Sequence, residues 1–237
     1  MPWVYAAASR AGAVHGDSAP GQDAFGVAVV GDVLVAAVAD GAGSASHGLL
    51  GAQTAVRAFL SAAPVLPDSK LCTAVRSALC AKADEAGLAL SDLATTLVGV
   101  VAGPKRSVFV QVGDGASVAR PAGKDEFKAV VWPPASEFVN VTTFLTDEAA
   151  LAHEQLVRLA RPLQDICLTT DGLQYLVLDF KEKQPHQPFF RSVCSRLTAE
   201  SGEDKKASAW IAQMLGSEPV TKKTDDDTTL LVARWRD

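Results

Sequence analysis

Two patterns of apolar positions alternate along this chain. The first is the continuous apolar run. Residues 24–30 and 33–39 are apolar throughout, separated by Gly31-Asp32. Such runs, broken by a two-residue turn, predict a tight hairpin of two strands. Residues 93–102 and 107–112, joined through Gly103-Pro104-Lys105-Arg106, repeat the arrangement. Residues 165–169 and 228–235 are further strands, with 4–8 and 126–131 as weaker ones. A strand apolar at every position is covered on both faces, so these hairpins belong to sandwiched sheets.

The second pattern has helical spacing. Leu49, Ala52, Val56, Phe59 and Ala63 share one face after Ser44 and Ser46, which are suited to capping. Leu71, Val75, Leu79, Lys82 and Ala86 form another face between Asp68, a cap, and Gly87, a stop. Phe189, Val193 and Leu197 mark a third helix. Ala207, Trp210 or Ile211, and Met214 mark a fourth, stopped by Gly216. Hairpins covered on both faces, with amphipathic helices in pairs, predict two stacked antiparallel sheets with helices outside. This is an α+β fold, and no domain boundary is visible in 1–237. Residues 121–150 follow neither pattern.

Composition narrows the partners. Hydrophobic residues make up 48% and charged residues 21% of 237, the balance of a folded chain rather than a disordered one. A net charge of −5 makes neither nucleic acid nor an anionic membrane an expected partner. No apolar stretch reaches the roughly 20 residues of a spanning helix, and the N-terminus lacks a signal-peptide pattern. Cys72, Cys80, Cys167 and Cys194 form no CxxC pair and read as reduced thiols in or near a core. A cytoplasmic location is expected.

The placement of aspartates carries the chemistry. Asp23 precedes the first strand of the first hairpin and Asp40 follows the second, so the turn at residues 31 and 32 sets them opposite each other. Like charges directly opposite on neighbouring strands repel. A cation between them removes the conflict, and hard oxygen ligands suit Mg²⁺ or Mn²⁺. Asp114 and Asp171 also end strands, and Asp225-Asp226-Asp227 opens the last one. Asp40, Asp114 and Asp171 are each followed by glycine, which permits a sharp turn. A single Asp-Gly is ordinary turn chemistry; three of them together with aspartates opening two other strands point to a divalent metal site.

In order, Gln22-Asp23, Asp40-Gly41-Ala42-Gly43, Thr95-Thr96, Gly113-Asp114-Gly115, Thr170-Asp171-Gly172 and Asp226-Asp227-Thr228-Thr229 resemble the motifs of the metal-dependent type 2C serine/threonine protein phosphatases. Gly12-Ala13-Val14-His15 is similar to the compact bacterial branch of that family. The resemblance spans nearly the whole chain and implies a four-layer α-β-β-α sandwich. It implies two Mn²⁺ or Mg²⁺ ions, with room for a third. Asp40 and Asp171 would carry the catalysis. Asp40 would bridge the ions, Gly41 would offer its carbonyl, and Asp23 would act directly or through water. Asp171 and Asp226 would hold the second ion, with Asp227 the alternative to Asp226. Asp114 matches the position associated with a third. Arg10 and His15 would bind phosphate. Position 42 is alanine where some relatives carry a histidine proposed as general acid, leaving that role to water. Phosphorylated proteins would be the substrates, with a Ser/Thr kinase acting in opposition. The competing readings are a weakly active or inactive member that regulates a kinase or phosphoprotein by binding, and a hydrolase of small phosphoesters. His47 falls near the motifs in sequence, whereas His153 and His186 read as surface residues.

Overall fold

The structure is a computed structural model that describes residues 2–13, 20–133 and 142–236. The strands are β1 Trp3–Arg10, β2 Ala24–Val30, β3 Val33–Ala39, β4 Leu97–Ala102, β5 Ser107–Val112, β6 Ala116–Pro121, β7 Lys128–Val131, β8 Gln155–Leu159, β9 Leu163–Thr169, β10 Leu178–Asp179, β11 Gln184–Pro185, β12 Gly202–Glu203 and β13 Thr228–Trp235. The helices are α1 Gly48–Ala62, α2 Leu71–Ala86, α3 Gln174–Val177, α4 Gln187–Ser195, α5 Lys205–Leu215 and α6 Glu218–Thr221.

Two sheets stack. One has the order β12-β1-β13-β9-β6-β7 and the other β2-β3-β4-β5-β8, and the pairs are antiparallel apart from β1 with β12. Three apolar layers hold them. Leu34, Val98, Phe109, Ile166, Leu168 and Leu231 fill the space between the sheets. Phe59, Val75 and Leu79 from α1 and α2 cover the outer face of the second sheet, and Phe190, Val193 and Ile211 from α4 and α5 cover the first. Burial on both faces is what makes β3, β5 and β9 read as unbroken apolar runs.

The expected elements are present, with several corrections. The strand expected over 93–102 begins at Leu97, because Leu90–Leu93 is a 3₁₀ turn closed by Asp92 accepting from the Ala89 N–H. Neither Ser44 nor Ser46 caps α1, whose N-cap is His47 without a side-chain bond; Ser46 donates instead to Asp92. Asp68 opens a 3₁₀ turn rather than α2, and its carboxylate pairs with Arg158 and Arg106. Lys82 is partly exposed and pairs with Glu85. Of Trp210 and Ile211, Ile211 is the buried one. Gly87 ends α2 in the left-handed conformation, as expected. β6 and β8 are additions. β6 carries Ser117 and Arg120 among its apolar residues, and β8 is an edge strand carrying Gln155 and Arg158; polar positions within both runs hid them. Cys72, Cys167 and Cys194 are buried free thiols and Cys80 is half-buried.

Candidate active site

The two sheets end together at one edge of the sandwich. β1, β3, β5 and β9 finish there, and β2, β4, β6 and β13 begin there. The hairpin register pairs Ala24 with Ala39, so Asp23 and Asp40 lie one step beyond its open end. Asp114 sits where the chain crosses from β5 in one sheet to β6 in the other. Asp171 follows β9, and Asp226 and Asp227 precede β13.

The electrostatics show that these groups are neighbours. Burial, then the charges of Asp23, Asp171, Asp226 and Asp114, push the Asp40 carboxyl up to about 10. Burial, then Asp114, Asp226 and Asp23, push Asp171 up to about 7. Asp23 is likewise raised, chiefly by burial, with Asp227 adding to the effect and hydrogen bonds from Thr229, Thr170 and Asp40 opposing it. Carboxylates gathered this closely need positive charge, from protons or from cations.

Threonines fix the cluster. The Thr170 hydroxyl donates to Asp23 Oδ2 at 2.8 Å, and Thr229 Oγ1 lies 2.6 Å from the same oxygen. Thr229 Oγ1 is also 2.8 Å from Ser9 Oγ, which ties β1 into the network. Thr95 donates to the Asp40 carbonyl at 2.8 Å, and Thr96 Oγ1 accepts the Asp40 N–H at 3.0 Å. The Asp40 backbone is thus held and its side chain is left to the site. Gln111, fully buried, was absent from the sequence-based site. Its amide donates to the carbonyls of Gly113 at 3.2 Å and Gly115 at 2.8 Å, clamping the turn that carries Asp114. A glutamine in an apolar strand just before Gly-Asp-Gly was the available signal.

The glycines after Asp40, Asp114 and Asp171 serve close approach rather than a left-handed turn. A Cβ on Gly41 would overlap the Gly48 backbone, one on Gly115 the Thr169 carbonyl, and one on Gly172 the Asp227 carbonyl. The left-handed residue is Gly113, at φ +105°, one position before Asp114.

Asp226 and Asp227 divide their work. Asp227 is buried, and its oxygens accept the N–H groups of Gly12, at 2.6 Å, and Gln22. It fastens the segments around β1 and β2 to the start of β13. Asp226 is exposed, interacts with Asp40 and Asp171, and lines a cavity of about 460 Å³. Arg10, Gly12, Thr221, Thr224 and Thr228 line the same cavity, and the Arg10 guanidinium lies against Gly216.

A family model described as Protein phosphatase 2C matches residues 12–216. The chain belongs to the protein phosphatase 2C family. It is 33% identical over 254 residues to Serine/threonine-protein phosphatase 3 of Escherichia coli (strain K12), covering 99% of each chain. Its fold is similar to the catalytic domain of the serine threonine protein phosphatase PstP in complex with two manganese ions, with TM-score 0.68 and 19% identity over 99% of each chain. It is also similar to RsbX in complex with magnesium, with TM-score 0.60 and 14% identity over 97% of this chain and 93% of that one. The α-β-β-α sandwich is the 2C architecture, in agreement with the resemblance.

Within this 2C chain, the edge gathers Asp23, Asp40, Asp114, Asp171 and Asp226, while Arg10 reaches the adjoining cavity. His15 lies outside the described residues. His47 is exposed and pairs with Ser46, and His153 and His186 are exposed as expected. Among the described residues, no three histidine, cysteine, aspartate or glutamate side chains converge tightly enough to hold an ion by themselves. The donor set nevertheless fits a hard divalent cation. It consists of carboxylates and carbonyls, and the buried Asp23 Oδ1 has no hydrogen-bond partner. With its amide nitrogen turned toward them, Gln22 lies 3.0 Å from the Gly41 carbonyl and 3.2 Å from that of Ala42, so Gly41 keeps one lone pair for such an ion. Among the described residues, no helix is long and apolar enough to cross a membrane.

Proposed function

We propose that this 2C-family phosphatase hydrolyses phosphoserine and phosphothreonine in proteins, using two divalent cations, Mn²⁺ or Mg²⁺. The observation that carries this is the concentration of Asp23, Asp40, Asp114, Asp171 and Asp226 at one sandwich edge, each raising the cost of ionising another. The curated relative named as a serine/threonine-protein phosphatase supports the substrate class. When bound, the cations neutralise the phosphoryl dianion and lower the pKa of the attacking water.

This chain's residues do the rest. Asp40, whose carboxyl burial and the other four aspartates push up, would be the ligand common to the ions, as the resemblance implies. Gly41 would add its backbone carbonyl to the ligand set. Asp171 and Asp226 would hold the second ion, and Asp114 would serve a third. Thr170 and Thr229 keep Asp23 turned inward. Arg10, in the cavity beside Asp226, binds the phosphate oxygens. Ala42 offers no acid, so water delivers the proton to the departing serine or threonine oxygen. The kinase that makes the substrate would be the opposing partner.

The test is phosphate release from a phosphothreonine peptide with and without Mn²⁺. We expect release that requires Mn²⁺ and falls by about 10³-fold or more in Asp171→Asn. Mn²⁺ binding without release would favour the regulatory reading, and faster turnover of small phosphoesters than of phosphopeptides would favour the metabolic one.

A further inference from the structure

A second cluster of charge lies on the same sheet, away from the carboxylates. Arg120 on β6, Asp165 on β9 and Arg234 on β13 are cross-strand partners in one row. Asp165 is fully buried. Its Oδ1 accepts from Arg234 Nε at 2.6 Å, and its Oδ2 from Arg120 Nε at 2.6 Å, with Arg120 Nη2 at 2.5 Å. Both carboxylate oxygens are therefore taken, and the triad keeps one positive charge in excess. Arg120 gives a further N–H to the Lys124 carbonyl and lies against the Phe127 ring. Among the described residues, Arg234 pairs through Nε alone, which leaves its Nη groups for another acceptor.

The row opens onto a cavity of about 380 Å³ lined by Arg120, Asp125, Phe127, Arg191 and Arg234. Arg191, exposed on α4, adds a second positive charge. Asp125, also exposed, is the opposing charge on the rim. Among the described residues, neither Arg191 nor Asp125 makes an ion pair. A partly buried excess charge is costly unless an anion meets it. Guanidinium groups present paired donors that match tetrahedral oxyanions.

We propose that this cavity is a second oxyanion site, which takes a phosphate group either free or carried on a small molecule. Asp165 precedes Asp171 by six residues along β9 and its exit, which places the site about 20 Å from the carboxylate edge. It stands independently of the phosphatase reading.

The test uses the full chain, isotopically labelled and kept in EDTA so that neither turnover nor cation-mediated phosphate binding intervenes. Arginine side-chain N–H resonances are followed on addition of inorganic phosphate and, separately, phenyl phosphate at constant ionic strength. We expect saturable shifts of Arg191 and Arg234, weakened about tenfold or more by Arg191→Ala and partly restored by Arg191→Lys. Arg10→Ala leaves them unchanged. Tighter binding of phenyl phosphate than of inorganic phosphate identifies a carried group, and equal binding identifies free phosphate. Unsaturable shifts, shifts that chloride reproduces, acetate binding as tightly as phosphate, or full binding in Arg191→Ala would each overturn the proposal.

Discussion

Asp40 is the residue at which stability and activity conflict most openly. Its carboxyl is raised by burial and by four neighbouring carboxylates. Replacing it by asparagine keeps the shape and removes the proton uptake that folding otherwise imposes on this group at neutral pH. Asp40→Asn should therefore abolish turnover while raising the melting temperature of the metal-free protein, read by calorimetry in EDTA. The pair Asp226 and Asp227 divides in the other sense. Asp227→Asn removes an acceptor charge from two backbone N–H groups and should cost about 1–3 kcal/mol in urea denaturation. Asp226→Asn relieves repulsion on Asp40 and Asp171, so it should not destabilise the metal-free protein, and it should weaken Mn²⁺ binding by titration calorimetry. The sequence placed both aspartates before the last strand but left the ligand open. Three consecutive carboxylates look alike until the Gly12 and Gln22 amides claim one of them.

At the scale of elements, α5 shows how one side chain can hold a helix, a loop and a sheet together. Asp204 is its N-cap and accepts from the N–H groups of Ala207, Ala199 and Thr198. Burial opposes its ionisation, but these bonds outweigh burial and hold the carboxyl down at about 2. Asp204→Ala should cost about 1–3 kcal/mol. That stabilisation is complete above the ordinary value of 3.8 and disappears as pH falls through about 2, so the variant and the parent should converge in acid unfolding. The hairpin β2–β3 was legible residue for residue, because unbroken apolar runs between turns admit few alternatives, and the apolar stretch 230–233 revealed β13 between Thr229 and Arg234. β6 and β8 were not, since Ser117, Arg120, Gln155 and Arg158 break the period for reasons that lie in neighbouring strands and helices. Ser117 accepts the Val131 N–H, Arg120 answers Asp165, and Arg158 answers Asp68. Capping also misled: Asp68 has the chemistry of a helix cap but faces arginines.

The whole molecule carries its carboxylates as a load that depends on pH. Asp171 and Asp23, displaced upward to about 7, ionise in the fold less readily than in the unfolded chain. The metal-free protein should thus lose stability as pH rises from about 4 through 7, and Mn²⁺ should restore more of it at pH 8 than at pH 6. Activity has the opposite slope. Asp40 gives up a proton to a cation throughout this range, and below about 7 Asp171 must give one up as well, so turnover at fixed Mn²⁺ should fall there, and raising Mn²⁺ should move the fall to lower pH.

The edge of the sandwich takes Asp23 and Asp40 from one sheet and Asp171 and Asp226 from the other. What separates those two groups is the apolar layer of Leu34, Val100, Ile166, Leu168 and Leu231. The layer works as the spacer of a caliper, with the carboxylates at the tips of the jaws. Thinning it with Leu168→Ala, fully buried near the end of β9, should cost about 2–5 kcal/mol. It should also alter the gap across which the proposed cations would be held. A loss of Mn²⁺ affinity in the folded Leu168→Ala protein would make the sheet spacing itself a determinant of how tightly the proposed site takes a cation.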